Sequence, residues 1–471
     1  MIKKATISII SILTLAGCSL HKPNTIEPSV EMPSHFNGAS EMTTTVSRDQ
    51  MNQEAWWKVF NDPVLDKYVE QVLESNLSVK QAYARLDQMN ALLTQAGGAR
   101  LPQVSASGQA NKGKSLSQFG SFTGESSGVS LAAGYEIDLW GKLKAQQEAG
   151  RLNFEASRKD IESIYLSLSA QTADLYLLLI ERREQLELAR KTLRAREETF
   201  DLVKRRYHEG LVTALDIYQA EQAKVLAETK IPQLERDIQT TSHALSILMG
   251  NYPDSNLETK ISKVPKLDDW FPSGLPSDLL LNRPDIQAEL KRLKASDQNI
   301  AVAIANRFPS LNLLGEYGHS RTDYGMSMSG TVWSILGSLT GPIWDWGIRK
   351  AEVERQTAVF EERLYHYQES VLNAFVEVEN ALVNHKTTTE LKTLQEHEIR
   401  AARSAYEHAR DQYRDGLTSY LPVLNAEASL YDAESRQVST NKQLLTHRIS
   451  LVRALGGTWM QTRATHSGME E

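Results

Sequence analysis

Few residues in this sequence combine the type and spacing needed for covalent or metal chemistry. Eleven histidines are scattered over 471 residues. They form no His-Glu-x-x-His pair, and no carboxylate cluster stands at ligand spacing. His366, His397 and His408 lie in charge-rich stretches, where a solvated helix face accounts for them. No glycine-rich phosphate loop occurs. The glycines of 315–341 sit among strand-like residues, where glycine relieves crowding or bends a strand. No catalytic residue, cofactor or metal is expected, which argues against a hydrolase or metalloenzyme. Tyr207 and Tyr413 each open a Tyr-x-x-Gly-Leu motif that ends a long glycine-free run, and Asp216 stands just beyond the first. A phenol donating to a carboxylate is a charge-assisted hydrogen bond, with a net worth of about 1.5–3 kcal/mol.

The bulk composition narrows the class. A hydrophobic fraction of 41% and a charged fraction of 24% suit an ordered chain. A net charge of −7 gives no electrostatic case for nucleic acid. Beyond the N-terminus no apolar run of about 18 residues appears, so any membrane crossing must be made by strands. Lys3 and Lys4 precede the apolar segment 5–16, and the only cysteine follows in Leu15-Ala16-Gly17-Cys18. These four residues resemble the lipobox of bacterial lipoproteins. The resemblance implies a signal peptide over 1–17, removed on export, and an acylated Cys18. Several acyl chains give a stable anchor. Ser19 after the cysteine points, by the same resemblance, to the outer membrane. The bland alternative is a buried free thiol behind an ordinary signal.

The chain is built of two similar halves. Asn76–Val104 aligns with Arg283–Leu311 without a gap, Trp140-Gly141 with Trp346-Gly347, and 205–221 with 411–427. The expected division is a lipidated strap over 18–61, a first repeat over 62–250, a proline-marked linker over 251–276, a second repeat over 277–457 and a tail over 458–471. Each repeat should hold a helix, a β-hairpin (101–140 and 309–345) and long helices. No glycine or proline falls within 151–209 or 348–415. At 1.5 Å per residue these runs make helices of roughly 90 and 100 Å. Apolar residues recur at spacings of three and four from Tyr165 to Tyr207 and from Val371 to Tyr413, as coiling helices require. A polar gap at His385, Thr388, Lys392 and Gln395 marks a change of partner.

In 129–139 the residues alternate strictly between an apolar and a small or polar face, over a length suited to a membrane strand. Leu311–His319 and Val332–Ile343 alternate less regularly, and Gln103–Ala110 only weakly. Trp140, Trp333, Trp344 and Trp346 lie in or beside these windows, as interfacial aromatic girdles do. Four strands cannot close a barrel, and an open edge in lipid leaves backbone groups unpaired. The chain must therefore oligomerise if it enters the membrane. The expected fold is mixed but mainly α, with long coiled-coil helices and a four-strand share of a transmembrane β-barrel.

Taken together, Tyr-x-x-Gly-Leu (207–211 and 413–417), Tyr135-Glu-Ile-Asp-Leu-Trp-Gly141, Asn282-Arg-Pro-Asp-Ile286 and Gly341-Pro-Ile-Trp-Asp345 resemble the TolC-like outer-membrane efflux family, in its lipoprotein branch. The resemblance covers about 60–457. It implies a homotrimer with a twelve-stranded barrel above a twelve-helix α-barrel, seated in outer-membrane lipid. It also implies a periplasmic adaptor and an inner-membrane pump as partners. Gly210 and Gly416 become the helix-tip turns, and Tyr413 and Asp216, beside Tyr207, the residues that close the tunnel; the bland alternative for Asp216 is a cap at the start of the following helix. Thr418 stands where the family's clasp has arginine, and Pro422 and Asn425 where it has an aspartate ring. Two alternatives stay open: the same duct serving type I protein secretion, and a periplasmic coiled-coil structural lipoprotein.

Overall fold

The computed structural model describes residues 21–24, 36, 55–117, 120–259, 263–265, 283–323 and 327–456. The signal segment, Cys18, the tail and most of the strap and linker lie outside the described residues. A short 3₁₀ turn (Trp56–Phe60) leads into α1 (Pro63–Ser75) and α2 (Leu77–Gly98). There follow β1 (Gln103–Ser117), β2 (Gly120–Ile137), α3 (Lys142–His208) and α4 (Ala214–Leu248). The second half holds α5 (Pro284–Ala305), β3 (Ser310–Asp323), β4 (Ser327–Thr340), α6 (Ile348–Arg414) and α7 (Tyr420–Ala454). Helix lengths match across the halves: 22, 67 and 35 residues in α2, α3 and α4, and the same in α5, α6 and α7.

The chain divides into two compact units. The first takes in Ala84–Lys159 and Gln287–Glu369 and contains the sheet. Its four strands run in sequence order, each antiparallel to the next, with β1 and β4 left as edges. The ladders run without an offset from Gln103↔Gly134 to Ser117↔Gly120, and from Ser310↔Thr340 to Asp323↔Ser327. No bulge therefore re-aims a side chain within the paired residues, and the alternation of Val129–Ile137 survives into the sheet. At the helix end, Trp140 stacks on Phe308 with ring centroids 4.9 Å apart and donates to the Pro309 carbonyl at 2.7 Å. Asp138 accepts from the backbone N–H groups of Leu143 and Lys144, which starts α3.

The second unit takes in Tyr83 and the residues before it as far back as Glu31, together with Asp160–Ile286 and Ser370–Glu471. Its core packs Leu65, Val69 and Val72 of α1 against Leu168, Ala173, Leu177 and Ile180 of α3, with Leu245, Leu445 and Ile449. By composition alone α3 carries a segment apolar enough to cross a membrane. Those residues are spent on this core instead. Asp62 caps α1, accepting from the Val64 N–H at 2.9 Å, and takes the Tyr176 hydroxyl.

Several expectations needed correction. The helix α3 starts at Lys142 rather than 151 and runs through Gly150, because one glycine costs only about 1 kcal/mol against so long a helical run. The weak window at 103–110 is a 15-residue strand. Its serines, glycines and alanines hide the alternation, and the cross-strand ladder supplies what its own pattern lacks. The strand β2 ends at Ile137, so Leu139 is not on it. Of the polar gap in α6, His385, Thr388 and Gln395 are buried. The Arg448 side chain of α7 donates to His385 Nε2 at 3.2 Å.

Candidate functional site

Two places stand out among the described residues: the sheet and the turns between long helices. On the sheet, burial is inverted. Along β2, Val129, Leu131, Ala133 and Tyr135 are exposed, while Ser130, Ala132, Gly134 and Glu136 are partly shielded. The register extends the apolar side sideways through Leu131↔Tyr317↔Trp333 and Ile137↔Leu311↔Leu339. Trp333 is 70% exposed and Ile335 78%. A contiguous apolar face of this size left to water would be an aggregation surface. Against hydrocarbon it is the stable arrangement. From Ile137 to Val129 the face covers about 27 Å along the strand before tilt, in keeping with a barrel's apolar band of roughly 25 Å. The opposite face offers Ser107 and Ser130, bonded to each other at 2.9 Å, with Asn312 and Glu316. That is a wettable wall.

The turns at the ends of α3 and α6 are built alike. Gly210 and Gly416 adopt φ of 74° and 75°, which favours glycine. Leu211 N–H reaches back to the Arg206 carbonyl at 2.9 Å, and Leu417 N–H to that of Gln412 at 2.8 Å. These bonds close the helices in the Schellman manner.

Beyond the turns the two tips differ. In the first, Thr213 and Asp216 form a capping box in which the Thr213 N–H and hydroxyl both donate to Asp216 Oδ2 at 2.8 Å. The start of α7 has Ser419 with no side-chain cap bond, and Pro422 where an acid would complete a box. Tyr207 is 41% exposed, whereas its counterpart Tyr413 is only 2% exposed and packs with Val203, Ala220, Tyr420 and Val423. The Tyr413 hydroxyl has no hydrogen-bond partner among the described residues. Burial raises its pKa above the ordinary phenol value; Arg206 pulls it down and nearby Asp216 pushes it up. Thr418 is half-buried and Asn425 exposed.

Two arginines not singled out from the sequence tie the tips together. Arg206 donates to the backbone carbonyls of Tyr413 and Arg414, each at 2.5 Å, and its guanidinium lies 4.8 Å from the Tyr413 ring centre. Farther from the turns, Arg196 donates to the Ala223 carbonyl of α4 at 2.7 Å and faces Glu427 of α7 at 3.4 Å. Both partners are buried, and Glu427 Oε1 is unsatisfied. Burial raises the Glu427 carboxyl above the usual range, with Arg196 opposing. A charged residue in the apolar phase of α3 was the available signal for Arg196; Arg206 had none beyond a basic last turn. His366 sits 59% exposed among Glu289 and Glu369, and His397 meets Arg400. Neither belongs to a metal-ligand cluster among the described residues.

A sheet with a lipid-facing side, a polar side and two open edges, joined to 67-residue helices, defines a segment of an outer-membrane channel wall. The chain matches the family described as "Outer membrane efflux protein" over residues 68–251 and 275–457. It is 31% identical over 464 residues to the pyoverdine export outer membrane protein OpmQ of Pseudomonas putida, covering 96% of this chain and 97% of that one. Against the probable outer membrane lipoprotein SilC of Salmonella typhimurium it is 27% identical, covering 98% and 100%. The solved outer-membrane channel OprN superposes with a TM-score of 0.86 at 27% identity, covering 94% of this chain and 100% of that one. The chain belongs to the outer membrane efflux protein family and works as an efflux channel in the outer membrane.

Proposed function

We propose that three copies of the chain form the outer-membrane exit duct of a tripartite efflux system, conducting small molecules outward without changing them chemically. The observation that carries the trimer is the pair of open edges on a sheet with an apolar outward face. Edges in lipid must be paired, and three four-stranded sheets joined β1 to β4 close a barrel of common size. A periplasmic coiled-coil spacer would have no use for such a face. Cys18 is acylated and adds a lipid anchor, a reading supported by Leu15-Ala16-Gly17-Cys18 and by the lipoprotein name of SilC. A periplasmic adaptor and an inner-membrane pump complete the path.

The closed state is held at the helical tips, where Gly210 and Gly416 set the turns. Tyr413 and Asp216 link neighbouring helices across chains, with Tyr207, Thr418 and Asn425 lining the same end. Arg206 supplies the cation that position 418 lacks. Support comes from the buried Tyr413 hydroxyl, a donor with no acceptor among the described residues. Native mass spectrometry in detergent and single-channel recording test the whole. Expected are a trimer and steady ion conductance that rises in Arg206→Ala. A monodisperse monomer, or a trimer without conductance, refutes the duct.

A further inference from the structure

The outward side of the sheet is not uniform. Past the Tyr317↔Trp333 row, toward the β1–β2 and β3–β4 turns, apolar residues give way to small and charged ones. Gly108, Ala110 and Ser127 have almost no side-chain bulk. With Val129, His319 and Arg321 as walls they leave an open depression of about 540 Å³. These six lie on the outward side, since the register pairs Gly108↔Val129↔His319 and Ala110↔Ser127↔Arg321, while Gln109 and Gly128, which complete the lining, alternate to the other face. The charged groups on this end of the outward side are Lys112, Lys114, Glu125, Arg321 and Asp323. Lys112 pairs with Glu125, so that charge is internally matched. Arg321 makes no ion pair within 4 Å among the described residues, although its charge acts on Glu125 at longer range.

We propose that this depression binds the phosphate of an anionic glycolipid in the outer leaflet, with Arg321 and His319 as the recognising side chains. The proposal rests on the reading of the sheet as one third of a barrel. With the helices on the periplasmic side, the turn ends of the strands reach the outer leaflet, and Arg321 stands just above the aromatic row, at headgroup depth. A guanidinium presents a planar fork that matches phosphate oxygens bidentately. An imidazole donates to the same group in either neutral tautomer. The missing side chains at Gly108 and Ala110 let a bulky headgroup approach the strands, and charge complementarity favours an anionic occupant over a zwitterionic one.

The test uses the full-length purified protein in nanodiscs holding either lipopolysaccharide or the same lipid with its lipid A phosphates removed. Native mass spectrometry reads oligomeric state and retained lipid in one spectrum. Wild type should retain the phosphorylated lipid about tenfold better than the dephosphorylated one, and Arg321→Ala should erase that preference. Arg321→Lys should keep part of it. Equal retention by wild-type and Arg321→Ala trimers overturns the site. So does equal retention of both lipids, which means belt contacts alone. Displacement of the lipid by millimolar inorganic phosphate, binding on its own, overturns the lipid as occupant. Loss of the trimer in the wild type refutes the barrel instead, and is visible separately.

Discussion

The two ends of the helical hairpins solve the same problem in different ways. At the roots, where α4 and α7 return, the halves agree in detail. Asn76 donates to the Leu248 carbonyl at 2.8 Å, and at the aligned place Arg283 donates to that of Ala454 at 3.2 Å. Gly250 and Gly456 follow with φ of 74° and 83°. Each lies so close to the facing segment that an added Cβ would come within 2.8 Å of the Ser75 carbonyl oxygen or 2.9 Å of Arg283 Cα. At the tips the halves part: one is capped by Asp216, while the other leaves Ser419 without a side-chain cap and buries Tyr413. The roots keep what any hairpin of this chain needs. The tips differ in local bonding: Asp216 takes the Thr213 N–H and hydroxyl within its own turn, whereas Ser419 makes no such cap.

The sharpest attack on the tips is Arg196→Met. It strands Glu427 as a buried charge, and breaking such a pair costs about 3–5 kcal/mol. Chemical unfolding of the protein in detergent should register that loss, and Arg196→Met/Glu427→Met should recover most of it. A single variant as stable as wild type would mean the pair holds nothing. At the roots, Gly250→Ala and Gly456→Ala should each lose about 2–3 kcal/mol, from the left-handed backbone and the contact together. The losses should be equal. A twofold inequality between them breaks the claim that the roots are equivalent.

Near the second root, burial beside Arg448 and His447 lowers the His385 pKa to about 4. The place it occupies is Leu179 in the first half. Because the folded value lies below the unfolded value of about 6.5, the unfolded chain binds the proton first. That contribution to stability is full above pH 6.5 and falls as pH drops toward 4. After allowance for partial hydration of the ring it amounts to about 1–2 kcal/mol. His385→Gln should flatten the stability profile in that window, and an unchanged slope assigns the dependence elsewhere.

Asp216→Ala should cost about 1 kcal/mol through its cap. Pro422→Asp should return about 0.5–1 kcal/mol by completing a box with Ser419. If both changes are silent in melting curves, the tips do not differ in capping. The smallest stability effect belongs to Tyr413→Phe, within about 0.5 kcal/mol, since no partner in the chain is lost. The same variant should raise single-channel conductance, and a normal conductance removes Tyr413 from the closure.

Much of this was legible in residues alone. The long helices follow from the missing glycines and prolines, and the phase from Val371 to Tyr413 names positions that are buried, including Val371, Ala374, Val378 and Ile399. The alternation of Val129 to Ile137 marks the outward face. The strand β1 was hidden because a strand of small residues owes its place to a neighbour's register, which no local pattern encodes. Arg206 escaped for a related reason: its partners are carbonyls about 207 residues away, and backbone acceptors leave no trace in residue type.

The equal helix lengths carry a consequence for how such a chain can change. Deleting one residue from α3 turns everything after it by about 100° and shortens it by 1.5 Å. Its neighbour α6, also of 67 residues, would keep its phase and length. A lone deletion therefore scrambles both the apolar seam and the level of the tip. Even a whole heptad, which preserves the seam, leaves one turn about 10 Å short of the other. Length in these helices can drift only in sevens and only in concert, which makes the pair behave as a matched gauge.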